Sequence, residues 1–476
     1  MATIVPSVKI DSRHVLAAPD RGARLGILLG GLKCCFAAFC VVGLLPASAV
    51  AQITGPLQPY AVPLNVPQLP ARGEQPISPG QTVTSRPRPE FDPTGLRFGD
   101  FFWFPRAELD ESYNSNIFAT STSPSADLIT ALAPGFDLLS NFPRNALNLH
   151  GSAVLQDYAR HPTQNTPTGS VNVDGRLDVT AESSLYGNAQ VSRPYISYGS
   201  PNSPGSPGSP AGIAQPVTYW DYLATAGYQQ GGRRFSYQVD VGVEAAQYNA
   251  AQLVGGGVLP QSSQDATASS AAVRAGYEIV PDYVGYMRVG GSLFNYWHAT
   301  HNNSSTYHVD LGLQILPRHL IYGEAYVGYL VQNFAQSSLP STSAPDYGGR
   351  LVWNVTPLDT LSFTGLRAFT TGTPAVSGVT VTGPAGNGYL STNITVNADH
   401  ELLRNLLLNL NITFTNYSFQ GITRTDDSFV GGAGLRYLIN RNLFLGGLFS
   451  YQRYISTASG SSFTQNILTL RVGTQF

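Results

Sequence analysis

The residues with the most chemistry to offer are carboxylates and arginines at alternate positions. Arg106, Glu108 and Asp110 are separated by single residues, as are Asp174, Arg176 and Asp178. Side chains spaced by two point to one side of an extended strand. Asp137, Asp240, Glu244, Arg274, Glu278, Arg288, Asp310, Glu324, Arg350, Arg436 and Arg471 fit the same pattern, each flanked by apolar, aromatic or glycine neighbours. Two chemistries suit such a ladder. It could line a water-filled lumen and filter solutes, or it could join neighbouring strands by ion pairs that stiffen a wall. Because the signs are mixed, the ladder does not predict strong ion selectivity.

Other chemistry is thinly supplied. Cys34, Cys35 and Cys40 are the only cysteines, so nothing after residue 51 can form a disulfide or thiolate site. His150, His161, His298, His301, His308, His319 and His400 are scattered, with no metal-binding spacing beyond His298 and His301. No metal and no cofactor is expected. His308 and Asp310 share a strand face as a hydrolase pair would, with Ser292 or Ser362 as conceivable nucleophiles, but nothing specifies one, and no enzyme is expected. Glycine is common (49 residues), yet no Gly-rich phosphate loop follows a strand and opens a helix. Asp127, Asp265, Asp346, Asp426 and Asp427 recur at strand starts, either to hold divalent cations or to hydrogen-bond their own turns. A formal net charge of -2 excludes a basic nucleic-acid binder.

The elements that position these residues have period two. In VNVDGRLDV, Val171, Val173, Gly175, Leu177 and Val179 form one face; Asn172, Asp174, Arg176 and Asp178 form the other. FSYQVDVGVEA (235–245) and TYHVDLGLQI (306–315) alternate likewise. Eighteen such segments run from 98–114 to 462–476, most of them 11–17 residues long. Globular strands average about 5–6 residues, whereas a tilted membrane strand needs about 9–11. The pattern is weakest at 184–198 and 359–371, where Arg193 and Arg367 fall on the apolar parity and a bulge would reset it.

Connections alternate too. Pro143-Arg144-Asn145, Pro281, Pro317-Arg318 and Asn440-Arg441 are short, whereas 199–215, 250–265, 336–345 and 372–387 are long and polar. Short periplasmic turns alternating with long external loops characterise outer-membrane barrels. Lipid offers no hydrogen-bond partner, so a spanning sheet must close on itself. The final strand presents Leu468, Leu470, Val472 and Phe476 on one face and ends in the aromatic residue, the form of signal that the barrel assembly machinery reads. The expected fold is all-β: a transmembrane antiparallel β-barrel of about 18 strands, with 16 as the alternative count.

Composition agrees. Charged residues are 12% of the 476-residue chain, against roughly 25% in a soluble protein. Lysine occurs only at Lys9 and Lys33; 22 arginines and 27 acids follow residue 51. Residues 1–51 carry Arg21, Arg24 and Lys33 before an apolar run and an Ala-x-Ala site, which reads as a signal peptide cleaved after Ala51. Residues 52–97 hold ten prolines and are expected as a Pro-rich disordered periplasmic tail, leaving 98–476 as the barrel.

Residues 86–120, RPRPEFDPTGLRFGDFFWFPRAELDESYNSNIFAT, resemble the entry segment of the putative beta-barrel porin 2 family. An Arg-Pro-rich lead precedes the Asp92-Pro93-x-Gly95 turn, a Phe-rich first strand (Phe101 to Phe104) and a Tyr113, Asn116, Ile117, Phe118 loop. The resemblance implies a porin of the Gram-negative outer membrane with no catalytic residues. The expected function is passive or weakly selective passage of hydrophilic solutes. The alternatives are a dedicated exit barrel for an exopolysaccharide, partnered by periplasmic polysaccharide-export proteins, and a structural barrel with an occluded lumen. Outer-membrane lipid and lipopolysaccharide are the expected surroundings. A plugged receptor would need about 22 strands.

Overall fold

The computed structural model describes residues 80–201, 212–336, 340–370 and 388–476. Eighteen long strands follow in chain order: β1 Phe101–Asn114, β2 Asp127–Ser140, β3 Ala146–Tyr158, β4 Thr168–Asp178, β5 Ser183–Arg193, β6 Val217–Gln230, β7 Phe235–Tyr248, β8 Ala266–Val280, β9 Tyr283–Tyr296, β10 Ser304–Ile315, β11 Ile321–Phe334, β12 Thr342–Thr356, β13 Asp359–Thr370, β14 Tyr389–Leu403, β15 Leu406–Phe419, β16 Thr425–Leu438, β17 Leu443–Ser456 and β18 Phe463–Gln475. Each pairs antiparallel with its neighbours in sequence. The sheet closes where β1 meets β18, from Arg106 opposite Gln475 to Asn114 opposite Ile467. The closed barrel of 18 strands matches the sequence expectation.

The alternation sets the two faces. Outside, Leu311, Val327 and Leu470 are 60%, 66% and 65% exposed, members of an apolar belt that a water-soluble sheet would hide. Inside, the buried residues include a charged set, Glu108, Asp110, Asp137, Asp310, Arg436 and Arg471, beside aromatic rings. Trp103 and Trp353 lie towards the short-turn end of their strands, Trp220 and Trp297 towards the other. Such placement suits aromatic rings at the two membrane interfaces.

The register is almost unbroken. Its shifts fall at Glu278/Val280, Asn354/Thr356 and Glu401/Leu403, all beside short turns. No bulge resets β5 or β13. Arg193 instead stays on the outer face at the end of β5, donating to the Pro167 carbonyl (2.8 Å) and Thr218 Oγ1 (3.3 Å). Arg367 lies over the Tyr347 ring. Above Gly349 and Gly365 no pairing joins β12 to β13. There Phe369 and Leu390 pack with Leu330 and Ala344.

The chain before β1 is folded along the rim. Residues 80–97 belong to the segment expected as a disordered tail, yet they run against the barrel's short-turn end. Tyr322 donates to the Gly80 carbonyl (2.7 Å), Asn354 to Gln81 (2.9 Å), and Val83 N–H to Thr360 Oγ1 (3.0 Å). Arg441 donates to the Pro89 carbonyl at 2.9 Å. The Asp92-Pro93-x-Gly95 turn needs its glycine: φ is 68°, and a Cβ there would lie 2.7 Å from the Phe104 ring. Leu96–Phe98 then pairs back on β1.

Candidate functional site

The inner wall repeats one device. An inward aromatic ring lies flat over a glycine of the next strand, where any Cβ would collide with it. Tyr186 covers Gly227 (2.4 Å to a built Cβ), Tyr286 covers Gly312 (2.3 Å) and Phe444 covers Gly473 (2.1 Å). Guanidinium groups stack on several of these rings: Arg274 on Tyr286 at 3.6 Å, Arg288 on Tyr326 at 4.6 Å, Arg436 on Phe444 at 4.0 Å. The rings and arginines thus lie along the wall.

Most of the ladder residues are joined as ion pairs. Arg471 grips Asp110 with two hydrogen bonds (2.7 and 2.6 Å) and reaches Glu108 at 2.9 Å, sealing the β1–β18 closure. Arg106 pairs with Asp137, and His150 bridges Asp137 (2.6 Å) and Asp174 (3.0 Å). Arg176 holds Asp178 at 2.8 Å, Arg274 holds Glu324 at 2.8 Å, and Arg288 holds Asp310 at 2.8 Å. Asp240 takes hydrogen bonds from Tyr186 (2.5 Å) and Gln238. Glu278 accepts the Asp282 N–H at 2.9 Å. Among the described residues Arg350 and Arg436 have no carboxylate in ion-pair range; Arg436 donates to Gln475 at 3.2 Å. Glu244 and Asp221 are diagonal neighbours on β7 and β6, opposite Leu223 and Ala246. Sequence reasoning found the charges. It missed the tyrosines and their glycines, although glycines on the inward parity were visible.

The external aspartates act within loops. Asp127 accepts from Leu128 N–H (2.8 Å), Arg160 N–H and His161 (2.7 Å), and Asp265 accepts from Tyr248 N–H (2.7 Å). Asp426 takes Arg424 and Tyr454 (2.6 Å), and Asp427 takes Asn416 (2.7 Å). Asp346 differs: it sits inside the wall, opposite Gly328, with His308 and Asp310 within 4.8 Å. Asp310 Oδ2 is already held by Arg288 and His308 (2.7 Å). Nε2 of His308 points at Gly290, where a Cβ would lie 2.4 Å away, so it does not reach Ser292 or Ser362 as a hydrolase base would.

Both mouths are narrowed. At the long-loop end, Tyr195–Ile196 pairs with Val217–Thr218 at the start of β6, and Tyr198 packs with Ala119, Tyr454 and Phe463 and donates to Gln164 at 2.7 Å. Residues 199–201 begin the long polar loop 199–215, of which residues 202–211 lie outside the described residues. The segment Ile213–Val217 packs with the hairpin Ala251–Gln252 and Val258–Leu259. Beneath lies a cavity of about 920 Å³, lined by Asn114, Tyr198, Asp221, Glu244, Gln452 and Arg471 among others. At the short-turn end, Arg88 is completely buried. It donates to Glu401 (2.7 Å) and to the carbonyls of Val83 (2.8 Å), Arg86 (3.1 Å) and Arg404 (3.2 Å). Burial pushes its pKa below the usual arginine value, while Glu401 pulls the other way.

A closed barrel of 18 strands with an apolar outer belt and a polar, charged inner wall is an outer-membrane barrel of the porin type. The family described as Putative beta-barrel porin 2 matches residues 88–476, and the chain belongs to it. No curated protein matches the sequence. Among solved structures, the chain is similar to the outer membrane protein OpdK from Pseudomonas aeruginosa (12% identity, 79% of this chain and 99% of that one, TM-score 0.40). It is also similar to OpdO from Pseudomonas aeruginosa (9% identity, 79% and 96% covered, TM-score 0.39). OccAB3 of Acinetobacter baumannii is a third (10% identity, 80% and 100% covered, TM-score 0.40).

Proposed function

We propose that the protein is a channel through the Gram-negative outer membrane that lets small hydrophilic solutes pass passively, with no catalytic step. The observation that carries this reading is the polar inner wall around the cavity of about 920 Å³, with aromatic rings laid flat instead of filling the space. Water-lined wall and lipid-facing belt together describe a conduit. Residues 1–51 would be removed on export, so that the mature chain starts at Gln52. The outer-facing Leu468, Leu470, Val472 and Phe476 would be read by the assembly machinery.

Liposome swelling tests the reading. Vesicles carrying the refolded barrel should swell in small neutral sugars at rates that fall with solute size. Swelling no faster than that of empty vesicles, for every solute and for a variant lacking residues 200–212, would contradict it.

A further inference from the structure

The register of β4 to β7 places the wall's acids in an unexpected order. Directly opposed inward residues form rows around the barrel. Going from the long-loop end to the short-turn end, the first row holds Asp221, opposite Ser192 and Ala246. The second runs Asn172, Gln190, Leu223, Glu244. The third runs Asp174, Asn188, Thr225, Gly242, and the fourth Arg176, Tyr186, Gly227, Asp240. The fifth runs Asp178, Ser184, Gln229, Gln238. Each successive row therefore carries one carboxylate. Rows are two residues apart, so the five span about 27 Å along the strands, comparable with the apolar band of an outer-membrane barrel.

Elsewhere Glu108, Asp110, Asp137, Asp310 and Glu324 are each paired with an arginine. Within β4–β7 the inward arginine is Arg176, paired with Asp178; His150 touches Asp174, and Arg274 on β8 lies opposite Gln238 but is paired with Glu324. Asp240 is held by neutral donors, Tyr186 and Gln238. Asp221 and Glu244 are diagonal neighbours on β6 and β7, and Asp221 Oδ1 is buried without a donor. Both line the cavity at the long-loop end. At the other end, the hydrogen bonds of residues 80–91 fall on β11–β18 and their turns, leaving the β4–β7 arc of the rim uncovered among the described residues.

We propose that the barrel is selective for cationic solutes, both inorganic cations and small amines, which pass along a staircase formed by Asp221, Glu244, Asp174, Asp240 and Asp178. This inference rests on the channel reading and replaces the weak selectivity expected from mixed signs. From Glu244 onward the carboxylates alternate between β7 and β4, about 14 Å apart across the wall, so they act on a cation as one extended negative field that raises its concentration along the arc.

The test is the reversal potential of the purified full barrel in planar bilayers under a potassium chloride gradient. The intact channel should prefer potassium over chloride. Asp221→Asn, Glu244→Gln and Asp240→Asn together should abolish most of that preference. Glu278→Gln, Glu324→Gln and Asp346→Asn remove the same formal charge from β8, β11 and β12, outside the β4–β7 arc, and should leave most of it. Heat-modifiable migration on gels verifies that each variant is folded. Conduction without cation preference, or equal loss in the two triple variants, overturns the staircase and leaves the channel reading standing. Silence of the folded barrel, with or without residues 200–212, overturns both.

Discussion

Tyr286 shows how a single side chain shapes this wall. Its ring lies between the Arg274 guanidinium and Gly312, which has no side chain to hold it off. Gly312→Ala should cost about 1–3 kcal/mol through overpacking, and a second change, Tyr286→Ala, should relieve the clash. Urea titrations of lipid-embedded barrels would compare the two. An unchanged single variant would mean that the ring is free to lift. Arg88 makes a similar argument at the rim. Removing it leaves Glu401 only the longer contacts of Arg86 (3.4 Å) and Arg404 (3.8 Å), so the loss should fall at or below the low end of the about 3–5 kcal/mol for breaking a buried pair on one side. Because residues 80–95 are a strap and not a barrel strand, Arg88→Met should release the strap while the barrel stays heat-modifiable. Limited trypsin digestion at Arg97 reads this out; protection equal to the parent's would contradict it. The alternating charges at these positions were legible in the sequence, because polarity on a strand has period two. The pairing of Tyr with Gly was not, since it depends on which strand lies beside which. Arg88 was hidden by its prolines, which suggest an unfolded arm until Glu401 is found beside it.

At the scale of elements, strand boundaries and turns were nearly all readable, because both faces of each strand meet different solvents along 11–15 residues. Arg193 and Arg367 misled only locally. Each sits near a strand end, where a long side chain can lie on the outer parity and still reach polar partners. Two predictions belong here. Val239→Arg and Leu311→Arg put charge on the lipid face and should each cost about 2–4 kcal/mol near the bilayer midplane. Arginine at the inward Thr225 should cost less, and refolding titrations into lipid would rank the three. An equal cost at Thr225 would reverse the assignment of faces. The seam is the second case. Only Arg106–Asn114 and Ile467–Gln475 close the barrel, and Phe476 N–H donates to the Pro105 carbonyl at 3.1 Å. Deleting Phe476 should lower the yield of heat-modifiable barrel; unchanged yield would mean that the terminal aromatic is dispensable.

For the whole molecule, the question is whether the enclosed space conducts. The sequence offered a lumen, a long loop and a tail, but not their arrangement, which arises from contacts hundreds of residues apart such as Arg88 with Glu401 and Tyr198 with Phe463. Residues 194–201 narrow one mouth and residues 80–97 the other, around a charged wall. Single-channel recording of the purified barrel in planar bilayers tests this most directly. The account predicts discrete conductance steps from the intact barrel, larger after deletion of residues 200–212. A folded barrel that stays silent both with and without that loop would contradict it.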